Sequence, residues 1–384
     1  MPFLLQRLMM KSFMLAFIVL TASSAMIETS RQARGDDAVV PVFTAGQDGY
    51  HTYRIPSITI SNKGTLLAFA EARKEGRGDA GNIDLVLKRS HDGGKTWGEQ
   101  QLVWDDAEHT CGNPCPVVDQ ATGDIILLLT WNRGDDHENK IKAGTAKDIR
   151  RVFVTRSKDD GITWEKPVDI TASAKDKEWR WYATGPGVGI QMREGKLKGR
   201  LVIPCDYSTP TGEYRSHSIH SDDGGKTWAT GGTIGPNVNE CQVVELPGGK
   251  LMMNLRNYAK APNAKRRAIS MSDDGGATWA PVTYDATLIE SICQASIIRL
   301  NHAAGAEQGV LLFSNPASEK SRDHMTVRLS RDGGKTWPVS KVLFEGPAAY
   351  SNLIELPDGS LACFYERGVK HAYETMVFHR FKME

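Results

Sequence analysis

"SDDGGKTWAT" occupies residues 221–230, and its first eight letters return, slightly varied, four more times. The other copies are "SHDGGKTW" (90–97), "SKDDGITW" (157–164), "SDDGGATW" (272–279) and "SRDGGKTW" (330–337). All five share Ser, Asp, Gly, Thr and Trp at the same places, so the chain is a repeat protein and must be read as one. The box aspartates are Asp92, Asp159, Asp223, Asp274 and Asp332, separated by 67, 64, 51 and 58 residues. A unit of about 60 residues built from short strands suits one four-stranded blade of a propeller. Just under six such units fit between residue 38 and the last residue, 384. The expected fold is therefore all-β, a six-bladed β-propeller with four-stranded blades, five of them carrying the box.

The octet is hairpin chemistry. An Asp carboxylate accepts from the amides of the turn that follows it. The glycines permit positive φ, Thr returns the chain to β, and Trp packs its indole between blades. A calcium loop is the competing reading of "DDGG", but the further acidic ligands and the spaced Glu of an EF-hand are missing. Runs such as "TLLAFA", "IILLLTW", "LVIPC" and "GVLLFS" read as strands near turn signals. "TASAKDKEWRW" (171–181), the one helix-like stretch, reads as a loop excursion.

The chain has 384 residues, 47 basic against 46 acidic. No basic stripe points to nucleic acid. Arg7 and Lys11 precede the apolar "SFMLAFIVLTASSA" (12–25), the pattern of a secretory signal, with cleavage expected near Ala25. A membrane anchor is the competing reading, but the stretch is too short to span comfortably. Residues 26–37 read as a leader and 38–384 as one domain, exported to the periplasm or medium, with no membrane span in the mature chain. Export makes disulfides possible for the six cysteines. Cys111 and Cys115 are close enough in sequence to pair across a turn, and scattered buried thiols are an equal alternative.

The segments around the boxes carry the chemistry. "YRIPSI" (53–58) leads to "LLAFAEARKEGRGDAGNIDLVLKRS" (66–90), and "NECQVVELPGGKLMMNLRN" (239–257) follows the third box. "FSNPASEKSRDHMTVRLS" (313–330) precedes the fifth box and "AAYSNLIELPDGSLACFYERG" (348–368) follows it. This ordered set resembles the exo-sialidase (neuraminidase) family of bacterial and animal type, from about residue 45 to the C-terminus. The resemblance implies a retaining exo-α-sialidase acting on sialylated glycans, with no metal or organic cofactor. Arg54, Arg256 and Arg322 match the family's arginine triad, whose guanidinium forks suit the substrate carboxylate. Arg328 lies close to Arg322 but looks like a strand residue leading into the box. Glu366 matches the acid that orients the first arginine. Tyr350 matches the nucleophile and Glu240 the carboxylate that activates it. A neutral phenol avoids the repulsion a carboxylate would meet at an anionic sugar, and sialidases are the known tyrosine exception among glycosidases.

Asp79, in a Gly-rich loop, matches the general acid/base. Asp84 competes, but sits in an apolar strand run. Glu71 and Arg73 match a polar wall near the substrate's C4 hydroxyl. "TGPGVGIQM" (184–192) departs from the family, with Val188 where a His often stands. "CGNPCPVVD" (111–119) is a candidate for the N-acetyl pocket, and Asp206 and Tyr207 for the mouth. The rivals are a KDN-preferring or transferring variant of the same site, a lectin on the same scaffold, and a structural protein that bears the box and needs none of these residues. A lectin would need the arginines but not the acid, the Tyr or its Glu. The sequence carries no signal for oligomeric state.

Overall fold

The computed structural model describes residues 38–301 and 309–383. The expected export signal and leader, residues 1–37, lie outside the described residues. Twenty-four strands account for nearly all regular structure. They form an eight-stranded sheet (Thr52 to Asp169), a five-stranded sheet (Tyr182 to Ile234), a four-stranded sheet (Val238 to Ile289) and a seven-stranded sheet (Ser296 to Phe381, with Val39–Thr44). Consecutive strands pair antiparallel within each sheet. The sheets are larger than the expected four strands for two visible reasons. A single parallel bridge, Ile83 to Thr110, joins two strand groups. The long strand Val339–Glu355 also runs continuously from one group into the next.

The innermost strands touch in chain order: Thr52–Ile60 against Thr110–Val118, Leu201–Ser208 against Val238–Leu246, Val238–Leu246 against Ser296–Arg299. Val339–Glu355 then returns to Thr52–Ile60. The molecule is thus an all-β, propeller-like ring. Its first described strand, Val39–Thr44, pairs antiparallel with the last, Thr375–Phe381, so the two ends of the chain close one sheet.

Each octet is the turn it was read as. Asp223 Oδ1 accepts from Ser221 Oγ (2.8 Å), Lys226 N (3.0 Å) and Thr227 N (2.9 Å), and Oδ2 from Thr227 Oγ1 (2.6 Å). The same Ser and Thr bonds recur at Asp92, Asp159, Asp274 and Asp332. The fourth position is always left-handed. It is Gly in four copies and Asp160 (φ 69°) in the other, one of the few side chains that tolerates that region. The indoles pack between successive strand groups: Trp97 lies edge-on to Phe378 with centroids 5.5 Å apart, and Trp164 to Phe69 at 5.7 Å.

Two details differ from expectation. Thr171–Ala174 makes one helical turn rather than a loop, because Asp169 Oδ1 accepts from Thr171 N at 2.8 Å and starts it. Glu138–Ala143 forms a second short helix, ended by Gly144 at φ 71°. All six cysteines are free thiols and buried. Cys111 and Cys115 do not pair because a bulge between Gly112 and Cys115 sends them into different cores. Cys111 joins Phe69 and Leu85, whereas Cys115 joins Tyr182 and Ile203.

Candidate active site

One cavity gathers Arg54, Glu71, Arg73, Asp79, Glu240, Arg256, Arg322 and Tyr350, contributed by residues almost 300 positions apart. A larger groove lined by Trp104, Trp131 and Phe153 lies elsewhere and holds none of these residues. Size does not pick out the candidate site. The convergence of charged groups does.

Arg54 sits at a register break in its strand, between Arg54 and Ser57. Ile55 there takes φ 63°, a conformation β-branched residues rarely adopt. The twist turns the Ile55 amide onto Glu366 Oε1 at 2.9 Å. Glu366, fully buried, also accepts from Arg54 Nε at 3.2 Å and from Tyr350 N at 3.0 Å. One carboxylate therefore orients the first arginine, as the sequence suggested, and also holds the backbone of the tyrosine. Burial works against the Arg54 charge, but Glu366 and its neighbours outweigh it and keep the guanidinium firmly protonated.

Arg256 Nη1 donates to Glu240 Oε2 at 2.6 Å and to Tyr350 Oη at 3.3 Å. The Tyr350 hydroxyl donates to the other oxygen, Oε1, of the same Glu240. Burial and then Glu240 push the phenol well above its ordinary range, against the pull of Arg256, Arg322 and Arg54. The phenol is therefore neutral in the empty site. Arg322 donates to Ile292 O (2.8 Å) and Tyr373 Oη (3.2 Å), and its guanidinium lies 5.6 Å from the Tyr350 ring centroid. Arg328 faces Asp285 instead and is outside the cavity lining. Arg54 Nη2 and Arg256 Nε are buried with no partner, two donors left for an anion.

Asp79 is the exposed member, its side chain 63% accessible. It bridges Arg73 (2.8 Å) and Arg54 (3.1 Å). Desolvation pushes its pKa up, but Arg73 and then Arg54 outweigh this and hold it below the usual carboxylate range. Arg73 also donates to the carbonyls of Arg77 (2.6 Å) and Gly78 (2.9 Å), pinning the Gly-rich loop, and pairs with Glu71 at 2.5 Å. Glu71 Oε1 accepts from Asn113 N at 2.9 Å. A Cβ on Gly112 would collide with the Glu71 carboxylate, so a side chain there would displace Glu71. Asp84 is buried on its strand, bonded to Tyr50 (2.6 Å) and Lys74 (3.1 Å), and stands apart from the cavity.

Of the weaker candidates, Asp206 lines the cavity and Tyr207 does not. Tyr207 stacks on Trp179 at 3.7 Å in the core. Burial and then the nearby Glu240 raise the Asp206 pKa well above normal. Asn113 is the one residue of "CGNPCPVVD" on the lining, and Val188 is outside it. Sequence reasoning missed Arg150, Trp181, Tyr258 and Tyr373. Arg150 is fully buried, lies 3.9 Å from the Trp181 ring centroid and donates to Asn113 Oδ1. Tyr373 lies 4.3 Å beneath the Arg54 guanidinium. Neither sits in a stretch whose local pattern sets it apart.

The BNR repeat-like domain family matches residues 64–363. A sialidase of Micromonospora viridifaciens is 36% identical over 339 residues, covering 85% of this chain and 52% of that protein. A sialidase of Bacteroides fragilis is 32% identical over 365 residues, covering 90% of this chain and 64% of that protein. The chain thus spans about half to two thirds of the length of these relatives. Among solved structures, the Hadza microbial sialidase Hz136 superposes with a TM-score of 0.79 at 29% identity, over 90% of this chain and 68% of that one. Fold, repeat and sequence agree: the chain belongs to the BNR-repeat sialidase family.

Proposed function

We propose that this chain is a retaining exo-α-sialidase that removes terminal sialic acids from glycoconjugates through a covalent tyrosyl intermediate. The observation that carries this reading is the Tyr350–Glu240 hydrogen bond set among Arg54, Arg256 and Arg322. The arginines clamp the carboxylate on the anomeric carbon, and the unpartnered donors of Arg54 and Arg256 are filled by it. The incoming carboxylate competes with Asp79 for Arg54, which frees Asp79 to gain a proton. Asp79 then protonates the glycosidic oxygen as the bond to the anomeric carbon breaks. The Tyr350 oxygen bonds to that carbon and its proton passes to Glu240. In the second half, Asp79 takes a proton from water. Water displaces Tyr350, which recovers its proton from Glu240. Two inversions give net retention. Positive charge already in place spares reorganisation during the reaction.

The same reading takes residues 38–384 as one catalytic domain of six four-stranded blades. The five boxes, the ordered contacts of the inner strands and the terminal strand pairing support it. It takes residues 1–25 as an export signal on their sequence pattern alone. The test is free sialic acid released from a simple α-sialoside by wild type beside Tyr350→Phe. Release largely lost in the variant supports the reading, and equal release by both removes Tyr350 from its role.

A further inference from the structure

The segment "ESICQ" (290–294) has no role in the chemistry just described, yet it bonds Arg322 directly and holds the residues next to Arg256 and Tyr350. Glu290 Oε2 accepts from Asn257 N at 3.2 Å, the amide directly after Arg256. Ile292 O accepts from Arg322 Nη2 at 2.8 Å. Gln294 Oε1 accepts from Ser351 N at 3.0 Å and Gln294 Nε2 donates to Ser351 O at 3.0 Å, clasping the residue after Tyr350 on both sides. Cys293 packs with Ile55, Ala349 and Tyr350.

The segment is held in a costly shape. Ile292 has φ 57°, a left-handed conformation that a β-branched residue keeps only when its surroundings over-determine it. Here they do. Glu290 Oε1 accepts from Cys293 N at 2.9 Å and closes the turn. Arg267, fully buried, donates to Glu290 Oε2 at 2.5 Å, to Cys293 O at 2.8 Å and to Asn254 Oδ1 at 2.8 Å. Both partners of this ion pair are sealed from water, where removing one leaves the other charge uncompensated.

We propose that Glu290–Gln294, clamped by Arg267, is a positioning bracket. It sets the spacing of Arg256 and Arg322 relative to Tyr350, and thereby tunes the site to the substrate's carboxylate. The inference rests on the sialidase reading above. A carboxylate held by two or three guanidinium forks is sensitive to their separation, whereas a neutral group of the same shape is much less so.

The experiment compares binding of 2,3-dehydro sialic acid and of its C1 carboxamide to the full chain. Wild type is measured beside Gln294→Leu, which releases both bonds to Ser351 and opens the clasp behind Tyr350, and Glu290→Gln, which keeps an acceptor but removes the charge. The expected result is at least about tenfold weaker binding of the acid in either variant, with the carboxamide changed less than about threefold. Circular dichroism and Tm identify a variant that has not folded, and Gln294→Leu then decides alone. Equal losses for acid and carboxamide, or no loss for either, overturn the bracket while leaving the sialidase reading intact. A wild type that does not prefer the acid overturns both.

Discussion

Asp79 presents a conflict at the scale of one residue. In the proposed mechanism this carboxyl must carry a proton, yet Arg73 and Arg54 hold it ionised and below its usual range. The substrate resolves the conflict if its carboxylate takes over Arg54. The pH dependence follows from the sign. With the lowered pKa of the empty site, the acid form is lost early as pH rises, and kcat/KM, which reports the free enzyme, falls with it. In the complex the pKa is higher, so the alkaline limb of kcat lies at higher pH than that of kcat/KM. Coincident limbs would contradict this. A second check is Asp79→Ala. It should lose about 10²- to 10⁴-fold on a galactoside leaving group and far less on a nitrophenyl sialoside, whose leaving group needs no proton. Equal losses on both would remove Asp79 from the acid role. The residues with motif context were legible in the sequence: Arg54 in Arg-Ile-Pro, Tyr350 and Glu366 in the last repeat, Glu240 after the third box. Arg150, on the cavity lining, and Tyr373, against Arg54 and Arg322, were not, because contacts between distant segments place them and no local pattern encodes those contacts.

At the scale of the element, the box turn is a self-contained hydrogen-bonded unit. Asp223→Ala removes four of its bonds and should cost about 1 to 2 kcal/mol of stability, read as a lower denaturant midpoint with unchanged activity at 25 °C. A variant as stable as wild type would show that the turn forms without its aspartate. Asp159, Asp223 and Asp332 are held at about 2, by the threonine hydroxyl first and its amide second. Their folded pKa values lie below the unfolded value of about 3.9. Their stabilisation is therefore present above that value and is lost as pH falls from about 4 toward 2. Acid titration of Tm should show that loss, and it should be smaller in an Asp223→Asn variant. Strand periodicity and box spacing made the all-β repeat readable. The merging of strand groups into larger sheets was not, since it depends on one bridge at Ile83–Thr110 and one uninterrupted strand.

At the scale of the whole molecule, the ring closes by pairing its first described strand with its last. Deleting residues 1–44 removes that partner from Thr375–Phe381 and exposes Phe43 contacts in the core shared with Phe364. Such a chain should melt at least about 5 °C lower and lose activity in parallel, because Glu366, which orients Arg54 and Tyr350, lies on the strand next to the exposed edge. An unchanged Tm would show that the ring is held elsewhere.

A covalent bond between Tyr350 and the sugar is read by peptide mass analysis after incubation with 2,3-difluorosialic acid. One added fluorosialyl group is expected, on the peptide carrying Tyr350, and none in Tyr350→Phe. A label on any other residue, or an active protein that never takes the label, would contradict it.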